Sequence, residues 1–385
     1  VAAPHIAVAL DGTGWHPASW REPDARPTEL LTARYWTDLV TEAETALLDF
    51  VTIEDSLGLQ SDHPGRPDDR TDRVRGRLDA VLIAARVAPR TKHIGLVPTV
   101  ITTHTEPFHA SKAIATLDYL SSGRAGVRVQ VSPRRDIAAH FGRRRLPARS
   151  AGLVDELFSE AGDYVEVLRR LWDSWEDDAE IRDVATGRFI DRNKLHYIDF
   201  RGTEFSVKGP SITPRPPQGQ PIVAALGHVD PAYELIASST DVGFVTPHSA
   251  AEVTELVAGI AARRARDAAP VRVFADLVVF LDDTADAAQS RRARLDDLAA
   301  GEYLSDAEIF TGTPHELTDL VQEWHAAGAA GFRLRPATVP HDLQQITGAL
   351  VPELRRRGLF RDRYESATLR GLLGLDRPIN RYATA

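Results

Sequence analysis

The residues best suited to chemistry sit at the ends of short apolar runs. Thr99, Thr102, Thr103 and His104 end or follow the run 94–100. Hydroxyls beside an imidazole can grip a polar ligand and move a proton near neutral pH. His104 therefore has two readings, a proton carrier or a satisfied histidine among apolar neighbours. Arg128 interrupts the run 127–131. A guanidinium there either pairs bidentately with a ligand's phosphate or a substrate's anion, or is answered by Asp55, at the end of the run 50–55, in an ion pair with no ligand. Gly227 and His228 lead into Asp230-Pro231, a cap residue before proline that marks a helix start. Free N–H groups at such a start draw an anion; a carboxylate cap at Asp230 would occupy them and repel it.

Other chemistries lack their residues. Asp11-Gly12-Thr13-Gly14 hints at a phosphate loop, but the third glycine of a dinucleotide fingerprint is missing and Trp15-His16 intervene, so a plain turn is expected. No Gly-x-Ser-x-Gly occurs, which leaves a hydrolase triad without a nucleophile position. His104, His109, His140 and His248 lack the helical pairing and neighbouring carboxylate of a zinc site, so no metal site is expected. Cysteine is absent, which removes disulfides, thiolate metal sites and a cysteine nucleophile. Redox chemistry would have to come from a cofactor. Lys plus Arg number 46 against 55 for Asp plus Glu, a net charge of −9 that argues against a nucleic-acid partner. No apolar run approaches the ~20 residues of a membrane span, and residues 1–10 are too short for a signal-peptide core. No membrane partner is expected, and the cytoplasm is the expected location.

The elements that must position these residues alternate regularly. Apolar, β-branched runs at 5–10, 50–55, 94–100, 127–131, 222–226, 242–246, 271–281 and 332–335 are separated by helical stretches. Eight such runs predict parallel strands covered by helices. At 385 residues the chain suits an α/β (β/α)8 TIM barrel with insertions at the C-terminal face, one domain over 1–385. A doubly wound open sheet is the competitor, but it would carry a Gly-rich fingerprint after its first strand. Thr313-Pro314-His315-Glu316 reads as a capping box, and Ser132-Pro133 as a second cap before proline. The segment 173–220 breaks the rhythm and reads as an insertion over the barrel mouth, its proline-rich part 208–220 acting as a lid. Residues 282–310 read as an acidic external helix.

This chain resembles the bacterial luciferase-like flavin monooxygenases, in the branch of the nitrilotriacetate, dibenzothiophene-sulfone and long-chain-alkane monooxygenases. Residues 91–126, TKHIGLVPTVITTHTEPFHASKAIATLDYLSSGRAG, carry the likeness most strongly. Gly14-Trp15-His16-Pro17-Ala18-Ser19-Trp20-Arg21, Ile53-Glu54-Asp55-Ser56-Leu57, Leu171-Trp172-Asp173-Ser174-Trp175, Gly331-Phe332-Arg333-Leu334 and Val351-Pro352-Glu353-Leu354 extend it in order. The resemblance implies a barrel that binds reduced FMN at the C-terminal ends of its strands. It further implies a monooxygenase that admits O2, shelters a C4a-peroxyflavin and oxygenates a small organic substrate. A separate flavin reductase and a homodimer or homotetramer are implied as partners. Cofactor-binding positions carried over are Asp55, Thr99, Thr102, Thr103, Arg128, Ser132, Gly227 and His228. His16 and His104 fall where a catalytic histidine would sit; for His16, a loop histidine capping a turn is the competing reading. Trp15, Trp20, Phe108 and Phe158 near the expected mouth suggest an apolar substrate.

Three positions depart from that pattern. Arg128 stands where the family has Asn, Phe158 where it has a phosphate-contacting Tyr, and Gly227-His228 where it has Gly-Ser. Losing the Tyr hydroxyl removes a hydrogen bond worth ~1 kcal/mol, which Arg128 could offset. The departures keep two alternatives open: a non-catalytic or ligand-binding subunit on the same barrel, and a deazaflavin (F420)-dependent oxidoreductase.

Overall fold

In a computed structural model of the chain, residues 3–61, 63, 66–147, 152–266 and 268–383 are described. Nine parallel strands make one sheet: β1 (His5–Leu10), β2 (Phe50–Ile53), β3 (Gly95–Ile101), β4 (Gly126–Gln130), β5 (Ile222–Gly227), β6 (Val242–Val245), β7 (Arg272–Leu281), β8 (Glu308–Gly312) and β9 (Gly331–Pro336). All but β8 form a closed ring, β1 to β7 in order and then β9, which pairs back to β1. Both faces of these strands are buried, as the sequence HIAVAL of β1 or VFADLVVFL within β7 requires of parallel strands under helices. The expected (β/α)8 barrel is the observed fold.

The outer layer comprises α1 (Ala33–Thr45), α2 (Ala80–Val87), α3 (Pro107–Leu120), α4 (Arg135–Phe141), α5 (Leu153–Asp173), α6 (Asp230–Ser239), α7 (Ala250–Arg263), α8 (Ala285–Ala299) and α9 (Pro314–Ala326). On α5, Leu157, Ala161, Tyr164, Leu168 and Leu171 recur at helical spacing and are buried against the barrel. Thr32, Asp79, Ser249 and Thr284 cap their helices through the side chain, and Thr313 with Glu316 completes the expected capping box. Ser132 is no cap: α4 begins at Arg135, and the Ser132 N–H instead donates to Thr103 Oγ1 at 2.9 Å. None of the described helices is long and apolar enough to cross a membrane.

Two expectations are corrected. Residues 282–310 are not helix throughout, because Glu308–Gly312 forms β8. That strand is half-buried and mixes Glu308 and Thr311 with Ile309 and Phe310, so it lacks the apolar signature of its neighbours. It takes the upper part of one edge of β7, Leu277 to Leu281, while β6 takes the lower part, Arg272 to Ala275. The segment 173–220, in turn, does not roof the mouth. It follows α5 and precedes β5, so chain direction delivers it to the N-terminal end of the barrel. There Gln218 bonds Asp118 and the Ala125 carbonyl just before β4, and Arg215 bonds Asp173 and the Pro378 carbonyl. Residues 208–220 are therefore no lid. Only the tip of the hairpin Phe200–Arg201 with Ser206–Val207 climbs beside α5, bringing Glu204 and Phe205 to the rim near Thr103.

The same lower end is plugged by the short helix Leu369–Leu372. Leu369 and Leu373 pack with Ala7, Phe50, Val97, Ile222, Phe244 and Phe274, the inward side chains of the lower barrel. Gly95 leaves room for Leu369, since a Cβ there would lie 2.5 Å from its methyl. The floor of the barrel is thus apolar, and polar inward residues begin one layer higher.

Candidate active site

Strand alternation sends every second residue into the barrel. Above the apolar floor this places Thr52 and Glu54 from the β2 side, Thr99 from β3, Arg128 from β4, Asp276 from β7, and Arg333 and Arg335 from β9, all buried. Arg128 Nη1 donates to Glu54 Oε2 at 2.6 Å and to Thr99 Oγ1 at 3.0 Å. The partner of Arg128 is therefore Glu54, not Asp55. The reason is one step of register: Glu54 shares the inward parity of Thr52, and Asp55 turns away. The Asp55 carboxylate instead accepts from the Ser56 and Ala80 N–H groups, pinning the loop after β2 to the start of α2.

Arg333 and Arg335 both donate to Asp276; Arg335 Nη2 lies 2.5 Å and its Nε 3.0 Å from Oδ2. Arg333 also reaches Glu54 Oε1 at 3.2 Å and stacks over Phe244, and Arg335 continues to Asp306 at the rim and covers the Trp15 ring. Burial alone would raise Glu54 and Asp276, but the facing guanidinium groups outweigh it and hold both carboxyls below their ordinary value. Burial would likewise depress Arg335, and Asp276 with Asp306 drives it up instead. Arg128, with one carboxylate partner, is depressed by burial. One of its N–H groups, Nε, is buried without a partner.

Arg128 also lines a cavity of about 240 Å3, together with Gln130, Phe158, Leu226 and His228. The cavity lies beside the start of α6. No side chain caps that helix, and the Asp230 carboxylate turns outward to Arg263 at 3.1 Å. The expectation that Asp230 would block the terminus is thus corrected: Val229 holds the cap position, and Asp230, already the first helical residue, points its carboxylate to the surface. His228 Nε2 lies 3.2 Å from Asp306, its Nδ1 3.3 Å from Thr246 Oγ1, and burial lowers its pKa against the pull of Asp306. Gly227 ends β5 where a Cβ would strike the Tyr233 ring at 2.8 Å.

A second cavity, about 170 Å3, opens across the barrel above β1 and is lined by Asp11, Trp15, Gln60, Arg73, Arg75 and Arg77 among others. Burial raises the Asp11 carboxyl although Arg77, 3.0 Å away, opposes it. His16 is among the residues lining this cavity, although its side chain is fully buried. Its Nδ1 accepts from the Ala18 N–H at 3.1 Å, so Nε2 carries the proton and donates to Asp296 at 3.0 Å. Burial lowers its pKa. His104 stacks on Phe141, its Nε2 is buried without a partner, and burial lowers its pKa too. Thr102 bonds the Gln130 carbonyl and Thr103 the Ser132 N–H, so both join the loops after β3 and β4.

The structure thus brings Arg128 and His228 to one cavity, with Thr99 bonded to Arg128 and Gly227 next to His228 in the chain, places Thr103 and His104 in a separate cavity and Thr102 and Ser132 in the loops after β3 and β4, and leaves His16 and Asp55 as tethers of the first two loops. Of the aromatics, Trp15 and Trp20 spend their indole N–H groups on the Ala9 and Asp72 carbonyls, and Phe108 packs against the Val167–Leu171 side of α5. Sequence reasoning missed Glu54, Asp276, Arg333, Arg335, Asp306, Asp11 and Arg77. A signal existed: Arg333 and Arg335 alternate with Phe332 and Leu334, and Asp276 lies inside VFADLVVFL, so charges recur at strand period in buried runs.

The chain matches the luciferase-like monooxygenase family over residues 15–334. N-acetyl-S-(2-succino)cysteine monooxygenase of Bacillus subtilis (strain 168) is 33% identical over 98% of each chain, and nitrilotriacetate monooxygenase component A of Aminobacter aminovorans 29% identical over 96% of each. The crystal structure of riboflavin lyase with modified FMN and substrate riboflavin superposes with a TM-score of 0.84 at 25% identity, covering 98% of this chain and 97% of that one. The chain belongs to the luciferase-like monooxygenase family. It is a flavin-dependent monooxygenase that acts on a small organic substrate.

Proposed function

We propose that the cofactor is reduced FMN, supplied by a separate reductase, and that its phosphate end enters the cavity beside Arg128. The observation that carries this reading is the buried, unpartnered Nε of Arg128 next to a helix start without a cap. A dianion there satisfies the orphaned donor and meets the positive end of α6. His228 and Gln130 add polar contacts on the same wall. This donor set stands in for the Tyr and Ser hydroxyls the family usually offers, so FMN fits the residues present.

When bound, reduced FMN supplies the electrons that activate O2. The chain's own tasks are to bind, to orient and to keep water out. Thr99, bonded to Arg128, fixes the guanidinium that receives the phosphate. Of the two candidate histidines, His104 is the one with a nitrogen able to hold or give up a proton, since both nitrogens of His16 are occupied. Thr102 and Thr103 set the loop from which His104 projects. A homodimer or homotetramer is the proposed assembly.

Titration with photoreduced FMN under anaerobic conditions tests the reading. A saturable spectral shift that weakens at least tenfold with Arg128→Gln is expected. No binding at high micromolar flavin, or full affinity in that variant, overturns it.

A further inference from the structure

The cavity above β1 holds a concentration of positive charge that flavin binding beside Arg128 does not use. Its walls come from the end of β1 and from the irregular loop between β2 and α2. That loop is tied in place rather than draped. Gln60 and Gly76 exchange two hydrogen bonds of 3.0 Å, Trp20 Nε1 holds the Asp72 carbonyl at 2.9 Å, and Asp55 holds Ala80. Between these ties Arg73, Arg75 and Arg77 follow an irregular path, with Gly76 in the left-handed region at φ +81° turning the chain between the last two. All three line the cavity, and Asp11 is the one carboxylate among its described lining residues.

Arg75 is locked by Asp68 and the Gln60 carbonyl. Arg77 is committed only in part. Its Nη2 bonds Asp11, whereas its Nε is buried without a partner. A buried donor left unpaired costs free energy that an incoming acceptor recovers. A guanidinium edge meets a carboxylate with two parallel bonds. The Trp15 ring, covered by Arg335, gives the cavity one apolar wall for the carbon skeleton.

We infer that this cavity is the substrate subsite and that it recognises a carboxylate, so that the substrate is a small organic acid held by Arg77. This rests on the flavin monooxygenase reading and adds to it the substrate's chemical class and the residue that selects it. The flavin's own phosphate carries the same kind of charge, so the test must separate the two anions.

Isothermal titration of the FMN-free and FMN-loaded protein with succinate and nitrilotriacetate as probes, and succinamide as neutral control, does so. The acids should bind, the diamide should not, and Arg77→Gln should weaken the acids about tenfold or more while leaving FMN affinity within twofold. Arg128→Gln should do the reverse. Should Arg77→Gln disturb folding by stranding Asp11, the double variant Asp11→Asn with Arg77→Gln removes both charges together and must lose the acids all the same. Acids that bind no better than succinamide, or equally well in the double variant, overturn the subsite even if FMN binds. Arg77-dependent acid binding in a protein that fails to bind FMN would uphold the subsite and remove the flavin assignment instead. An Arg77 variant that loses FMN and keeps the acids would mean the cavity belongs to the cofactor's phosphate, which also overturns the proposal.

Discussion

Replacing Asp276 by Asn tests the account of the charged layer directly. The carboxylate has no solvent exposure and accepts from both Arg333 and Arg335 through four N–H groups. Asn keeps the shape, offers one acceptor, and turns an NH2 toward guanidinium donors. Two buried cations then retain only Glu54 and the rim residue Asp306. Removing one partner of a buried ion pair costs about 3–5 kcal/mol. For 385 residues the unfolding entropy near Tm is roughly 0.8 kcal/mol/K, so the expected drop in Tm is about 4–6 °C. Differential scanning calorimetry reads this. The triple change Asp276→Leu, Arg333→Leu and Arg335→Met removes all three charges and should recover most of the loss, because the penalty lies in stranding charge rather than in lacking it. A single variant whose Tm moves by less than about 1 °C, or a triple variant far below the single one, would refute the reasoning.

Further expectations concern the other layers. His16, His104 and His228 are all held below the ordinary histidine value by burial, so their neutral forms favour the fold. The stability they contribute is complete above about pH 6.5 and declines as pH falls through the folded values; Tm should drop between pH 6.5 and 5, less steeply in His16→Gln, and parallel curves would count against it. Leu369→Ala empties part of the barrel floor and should cost about 2–5 kcal/mol, seen as a lower denaturation midpoint with unchanged FMN affinity, since the change lies at the far end from the site. Thr313→Ala removes the capping-box hydroxyl and should cost about 1 kcal/mol in the same assay.

The barrel was legible because parallel strands buried on both faces leave nearly unbroken apolar runs, and eight of them recur between helices. What escaped was whatever departs from that signature or depends on direction and register. Glu308–Gly312 is half-buried and polar enough to read as loop or helix. Prolines in 208–220 suggest a stiff cover, yet the end of the barrel they cover is decided by their following a helix rather than a strand. At the site, Arg128 was read with its true alternatives, but its carboxylate was misplaced by one residue. In a strand that single step exchanges inside for outside, and Glu54-Asp55 offers a carboxylate on either side of it. Arg77 belongs to an irregular loop, where no periodicity tells which side chains converge.

The shared edge of β7 has a geometric outcome for the entrance. Because β6 lets go at Ala275 and a different strand continues alongside Leu277 to Leu281, the rim is parted by main chain rather than by side-chain choice. Across that gap His248 pairs with Glu308 and His228 with Asp306, so exchanging such side chains can reshape its lining while the backbone pairing with β7 stays as it is. A catalyst so built can be refitted to bulkier or smaller reactants by altering upholstery alone, with the frame left untouched.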